Sequence, residues 1–128
     1  MIQDAQLRNS TIIAIVDDDD AFRSALKTLL RSSGYKVRTY GSALEFLNAK
    51  ASAEIHCLVS DIQMPGMSGI ELNERLIALG FHIPTIFITG YPGAAAHLGA
   101  NTLVAVLPKP CDPDKLLNCI ETALLPRQ

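Results

Sequence analysis

Ile15 and Val16 run straight into four carboxylates, Asp17, Asp18, Asp19 and Asp20. Adjacent carboxylates repel one another, so such a group is costly unless positive charge sits within it. Three more polar residues share this setting, each closing an apolar run: Asp61 after IHCLVS, Thr89 after IPTIFI, and Lys109 just after LVAVL. If Asp17, Asp18 and Asp61 converge, a divalent cation resolves their repulsion. Oxygen donors without His or Cys suit a hard ion such as Mg2+, which keeps some waters and often sits beside a phosphate. Lys109 adds a second positive charge and Thr89 a hydroxyl. The metal and lysine neutralise oxygens, the hydroxyl donates a hydrogen bond, and a lone carboxylate attacks. That set is suited to phosphoryl transfer.

Convergence needs a scaffold. Residues 11–16 (TIIAIV) form a continuous β-branched run, as in a strand of a parallel sheet buried on both faces. Phe22, Leu26, Leu29 and Leu30 recur at helical spacing, and Gly34 is placed to end that helix. Residues 35–40 read as a second strand, 55–60 as a third, 83–88 as a fourth and 103–107 as a fifth. Between them, Ser42 with Glu45 and Ser68 with Glu71 fit capping boxes that open helices. Residues 94–98 read as one short helix. Asp112 reads as an N-cap with Pro113 at the first helical position, ahead of a helix facing inward through Leu116, Leu117, Ile120 and Leu124. This alternation predicts a parallel α/β sheet covered on both faces, in the simplest order 2-1-3-4-5. Right-handed crossovers place every strand's C-terminal end on one edge, where such folds bind ligands. Asp17, Asp18, Asp61, Thr89 and Lys109 then share that edge, with strands one and three adjacent.

Taken singly, each residue has a plainer role. Asp19 and Asp20 fit the N-terminus of the first helix. Asp61 alone reads as a solvated loop aspartate, Thr89 as a cap and Lys109 as a surface charge. His56, His82 and His97 lack metal spacing, and Met64 and Met67 suit loop packing. Cys57, Cys111 and Cys119 are an odd set without metal spacing, which suits reduced thiols in a cytoplasmic protein. The 128 residues are one domain's worth, with a core spanning about 10–125. With 11 basic and 13 acidic residues the chain lacks the basic excess of a nucleic-acid module. It shows neither a membrane-length apolar run nor a signal-peptide core.

These residues match a family pattern. The chain resembles the receiver domain of bacterial two-component response regulators. The motifs are Val16-Asp-Asp18, then Val59-Ser-Asp-Ile-Gln-Met-Pro-Gly-Met-Ser-Gly69, Ile88-Thr-Gly90 and Lys109-Pro110, in family order across nearly the whole chain. IPTIFITG resembles the FixJ-like branch, whose members often carry a C-terminal DNA-binding domain. The resemblance implies a three-layer, flavodoxin-like doubly wound fold. It implies that Asp61 accepts a phosphoryl group from a sensor histidine kinase. Mg2+ would be held by Asp18, by Asp17 directly or through water, by Asp61 and by the Gln63 backbone carbonyl. Lys109 would pair with Asp61 or its phosphate, Thr89 would hydrogen-bond the phosphate, and the Lys109–Pro110 bond would be cis. The chemistry would be self-phosphorylation and self-dephosphorylation only, read out by an effector domain or protein, with a homodimer forming on phosphorylation. Both a stand-alone receiver and a piece of a longer regulator fit.

Two departures stand out. The family's usual Tyr or Phe three residues before Lys109 is Val106, which has no ring to bury at this switch position. Residues 92–99 make a weak fourth helix, predicting a remodelled or mobile element and an unusual partner surface. Tyr91, two residues past Thr89, is placed to shield a phosphate from water. Three other functions compete. A haloacid-dehalogenase-like phosphohydrolase would need an Asp where Gln63 stands, and a cap domain. A nucleotide-binding module would need a Gly-rich loop after the first strand. A degenerate receiver, binding partners without phosphorylation, is opposed by the intact Asp17, Asp18, Asp61, Thr89 and Lys109 set and kept open by Val106 and the odd helix.

Overall fold

The computed structural model describes residues 8–91 and 104–125. Five strands, β1 (Ile12–Val16), β2 (Lys36–Tyr40), β3 (Cys57–Ser60), β4 (Thr85–Thr89) and β5 (Val104–Pro108), form one parallel sheet in the order β2-β1-β3-β4-β5. Four helices lie among the described residues: α1 (Asp20–Ser32), α2 (Ala43–Asn48), α3 (Gly69–Ala78) and α4 (Pro113–Leu124). This is the doubly wound architecture expected from the sequence. The predicted helix over 94–98, His97 and Leu103 lie outside the described residues.

Strand alternation splits the core into two layers. Ile13, Ile15, Cys57, Val59, Ile86 and Ile88 pack with Leu26 and Leu30 of α1 and Leu116 and Ile120 of α4. Ala14, Val16 and Leu58 face the other way, against Phe46 of α2 and Leu72 and Leu76 of α3. Strands buried on both faces read as unbroken apolar runs, which is why the sequence revealed them.

The helix ends follow from local chemistry. Asp19 caps α1 by accepting the Phe22 N–H at 3.1 Å, and Gly34 takes φ +98° just past its end. Ser68 and Glu71 form a full capping box on α3. Ser42 caps α2, but Glu45 reaches back to the Gly41 N–H rather than to Ser42, so only half of the expected box forms. Asp112 caps α4, with Pro113 in the first turn. The third strand starts at Cys57 rather than 55. Ser52–Glu54 forms a 3-10 turn there, and the His56 ring accepts the Ile12 N–H at 3.0 Å. Thr89 closes β4 as its last residue instead of following it.

Candidate functional site

The sheet register assembles the site. Val16 pairs with Tyr40 on one side and Ser60 on the other. One further ladder step takes the Asp17 N–H to the Tyr40 carbonyl and the Asp61 N–H to the Val16 carbonyl, both at 3.1 Å. Asp17 and Asp61 thus leave neighbouring strands side by side. On the far side, the Lys109 N–H donates to the Thr89 carbonyl at 2.8 Å, and the Lys109–Pro110 bond is cis.

The side chains converge as well. Carboxylate oxygens of Asp17, Asp18 and Asp61 all lie within 4.8 Å of one another. Asp17 and Asp61 are 2% and 8% exposed, whereas Asp18 is open to solvent. Lys109 Nζ stands 3.1 Å from both Asp17 Oδ2 and Asp61 Oδ2. Asp61 Oδ1 accepts the Ile62 N–H at 2.7 Å and the Gln63 N–H at 3.3 Å. Asp17 Oδ1 accepts the Asp19 N–H at 2.8 Å. Burial is the largest influence on Asp17 and pushes its carboxyl above the usual range, against the Asp19 N–H and Lys109, which pull it down. Lys109 is pushed upward. Burial opposes its charge, but its hydrogen bonds to Asp17 and Asp61 and their negative charges prevail.

Thr89 is fully buried at the same edge. Its hydroxyl accepts the Tyr91 N–H at 3.1 Å and makes no hydrogen bond to Asp61 or Lys109. Val106 is half-buried, pairs with Phe87 in the sheet and packs against the cluster formed by Phe87 and Ile62, the residue that follows Asp61. Gln63 is exposed. Cys57 lies in the core away from this edge, where burial pushes its thiol up to about 12.

Four participants have no role in the site that the sequence alone assigns. The Phe22 ring lies under Lys109, with Nζ 4.4 Å from its centroid. Arg23 Nη1 donates to the Asp17 carbonyl at 2.6 Å. Ser60 Oγ donates to the Asp61 carbonyl at 2.8 Å. Gly69 donates its N–H to the Ile62 carbonyl at 2.8 Å, and a Cβ on it would stand 2.0 Å from the Asp61 carbonyl oxygen. Gly69 carried the clearest signal, as the last residue of the Val59–Gly69 motif and as a glycine in a helical first turn where other residues are better formers.

Residues 13–121 match the response regulator receiver domain family. The chain belongs to this family. The receiver is 40% identical over 117 residues to the response regulator protein TmoT of Ectopseudomonas mendocina, covering 89% of this chain and 53% of that protein. It is 39% identical over 114 residues to the transcriptional regulatory protein FixJ of Bradyrhizobium diazoefficiens, covering 88% of this chain and 56% of that protein. The chain thus spans about half the length of these curated relatives. The crystal structure of FixJ-N superimposes with TM-score 0.76 at 30% identity, covering 99% of this chain and 100% of that one. The response regulator StyR superimposes with TM-score 0.78 at 41% identity, covering 90% of this chain and 59% of that one. A receiver domain of response regulators places the chain in two-component signalling. No helix among the described residues is long and apolar enough to cross a membrane.

Proposed function

We propose that this receiver accepts a phosphoryl group on Asp61 from a phosphohistidine of a sensor kinase, in a Mg2+-dependent reaction, and that the phosphorylated form changes partner binding. The observation that carries this reading is Asp61 itself. Its carboxylate is held at a strand end by two backbone N–H groups and by Lys109, among carboxylates that need a cation. A carboxylate oxygen of Asp61 forms the new P–O bond as the P–N bond to the kinase imidazole breaks. The imidazole leaves with that bond's electron pair. Lys109, beside Asp17 Oδ2 and Asp61 Oδ2, offsets the negative charge that gathers there when the phosphoryl group arrives, and the Ile62 and Gln63 N–H groups hold the attacking carboxylate in place.

The donor set fits Mg2+. Three hard carboxylates lie within reach of one ion, and exposed Asp18 leaves room for waters. Asp17, Asp18 and Asp61 would hold it, with the Gln63 carbonyl as a further ligand. When bound, Mg2+ supplies charge neutralisation for the transferring oxygens. Thr89 becomes a partner of the phosphate by donating its O–H, which the Tyr91 N–H leaves available, and Val106 transmits the change through Ile62 and Phe87.

The chemistry is self-directed rather than turnover of a separate substrate. Partners are the kinase and an effector domain or protein, consistent with relatives about twice this length, and a homodimer forms on phosphorylation. The net charge of −2 supports a domain that does not itself bind nucleic acid, and three unpaired cysteines suit a reducing, cytoplasmic setting. The test is intact mass after incubation with Mg2+ and a small acyl-phosphate donor, parent beside Asp61→Asn. Gain of one phosphate by the parent alone supports the reading. No gain, with Mg2+ binding verified separately, favours a receiver that binds partners without phosphorylation.

A further inference from the structure

Lys109 is held on three sides. Two N–H groups reach Asp17 Oδ2 and Asp61 Oδ2, each at 3.1 Å. The third side faces the Phe22 ring, whose centroid lies 4.4 Å from Nζ. A lysine ammonium is a compact charge on a flexible four-carbon stem, so two carboxylates alone leave it able to swing with either of them. An aromatic face has negative potential at its centre and attracts an ammonium placed over it. Lys109 is only 21% exposed, which strengthens that attraction by limiting competition from water.

The position of Phe22 is itself determined. Its backbone N–H is the group that the Asp19 cap accepts, which fixes the first turn of α1 directly behind the acidic loop. The ring also packs against the core layer formed with Leu26 and Leu30. It is therefore anchored on one side by apolar neighbours and turned on the other toward the ammonium. Arg23, the next residue, holds the Asp17 carbonyl. The first turn of α1 thus braces both Lys109 and the strand end that carries Asp17.

We propose that Phe22 is a positioning residue for phosphoryl acceptance, acting through Lys109. Its ring holds the ammonium midway between Asp17 and Asp61, so that the charge is in place when Asp61 attacks. This rests on the functional reading above. A purely packing role for Phe22 predicts that any apolar side chain of similar volume serves. A positioning role predicts that only an electron-rich ring does.

The experiment compares Phe22→Leu, Phe22→Tyr and a chain carrying a trifluorinated phenylalanine at position 22, which keeps the shape and weakens the ring's negative face. Phosphoryl uptake from an acyl-phosphate donor with Mg2+ is followed by intact mass. The Lys109 Hε proton shifts are read by NMR without donor, and folding is checked by thermal melting. Phe22→Leu and the fluorinated chain should take up phosphate about three- to tenfold more slowly, and Phe22→Tyr at the parent rate. The Lys109 Hε protons should show an upfield ring-current shift in the parent that Phe22→Leu removes. In a Lys109→Ala background, Phe22→Leu should slow uptake no further. Equal rates for the parent, Phe22→Leu and the fluorinated chain overturn the proposal. So does an undiminished effect of Phe22→Leu in the Lys109→Ala background, which marks a packing role. If Phe22→Leu does not fold, the fluorinated chain and the NMR shift decide. A parent that takes up no phosphate overturns the functional reading and this inference with it, whereas uptake that is insensitive to the ring overturns this inference alone.

Discussion

Gly69→Ala should destabilise the protein by about 3–5 kcal/mol, the opposite sign to the usual gain from replacing a helical glycine. Gly69 opens α3, where alanine is a better helix former. Here, however, the added Cβ would stand 2.0 Å from the Asp61 carbonyl oxygen and 3.0 Å from Ser60 Oγ. An ordinary contact lies near 3.5 Å, so the two backbones must part by roughly 1.5 Å. That movement breaks the Gly69 N–H bond to the Ile62 carbonyl and strains the Ser60 bond to the Asp61 carbonyl, both 2.8 Å long. Each lost bond costs about 1 kcal/mol, and burying unsatisfied partners adds to it. Overpacking strain contributes about another 1–3 kcal/mol. Urea denaturation followed by circular dichroism gives the difference as a lower midpoint at unchanged slope. Phosphoryl uptake should fall by more than the unfolded fraction explains, because the displaced backbone carries Asp61. A variant within about 0.5 kcal/mol of the parent, with normal uptake, would refute the close approach of α3 to the end of β3.

Burial holds the Asp17 carboxyl above its ordinary value of 3.8, so the folded state binds this proton more tightly than the unfolded state does. The stability contributed by that proton is full below 3.8 and lost as pH rises through the elevated folded value. Asp17→Asn should therefore raise the melting temperature at pH 7 and lose this advantage near the acid end. A gain that does not change with pH, or a lower melting temperature at pH 7, contradicts this. Mg2+ should stabilise the parent by about 1.4 kcal/mol at ten times its dissociation constant. In Asp18→Ala that increment should shrink sharply, and equal thermal shifts in both proteins would remove Asp18 from the metal site. Tyr91 is 67% exposed and tied to Thr89 through its own N–H. Tyr91→Ala should speed loss of the phosphoryl group a few-fold if the ring shields it, and an unchanged decay rate of the phosphorylated species denies that role.

Sequence and structure agree most closely where chemistry meets strand ends. Asp17, Asp61 and Lys109 each close a run that reads as a buried strand, and a parallel sheet has only one edge for such ends. The strand order 2-1-3-4-5 then makes Asp17 and Asp61 neighbours. The caps at Asp19, Ser68 and Asp112 were legible because their partners lie two or three residues away. What stayed hidden depends on distant partners. Phe22 has the spacing of a core residue and is one, and nothing local reveals that its other face meets Lys109 across the sheet edge. Arg23 reads as an exposed helical charge until the Asp17 carbonyl is found beside it. The start of the third strand was misplaced because Ile55 is buried outside the ladder, so apolarity alone did not mark the boundary.

The most direct measurement is where the phosphoryl group resides. After brief exposure to Mg2+ and an acyl-phosphate donor, borohydride reduces an aspartyl phosphate to homoserine, and tandem mass spectrometry of the peptides locates the change. Reduction at Asp61 alone, absent from Asp61→Asn and from unexposed protein, is the expected result. Reduction at Asp17, Asp18, Asp19 or Asp20 instead, or phosphate carried as a borohydride-resistant ester on a serine or threonine, would contradict Asp61 as the acceptor.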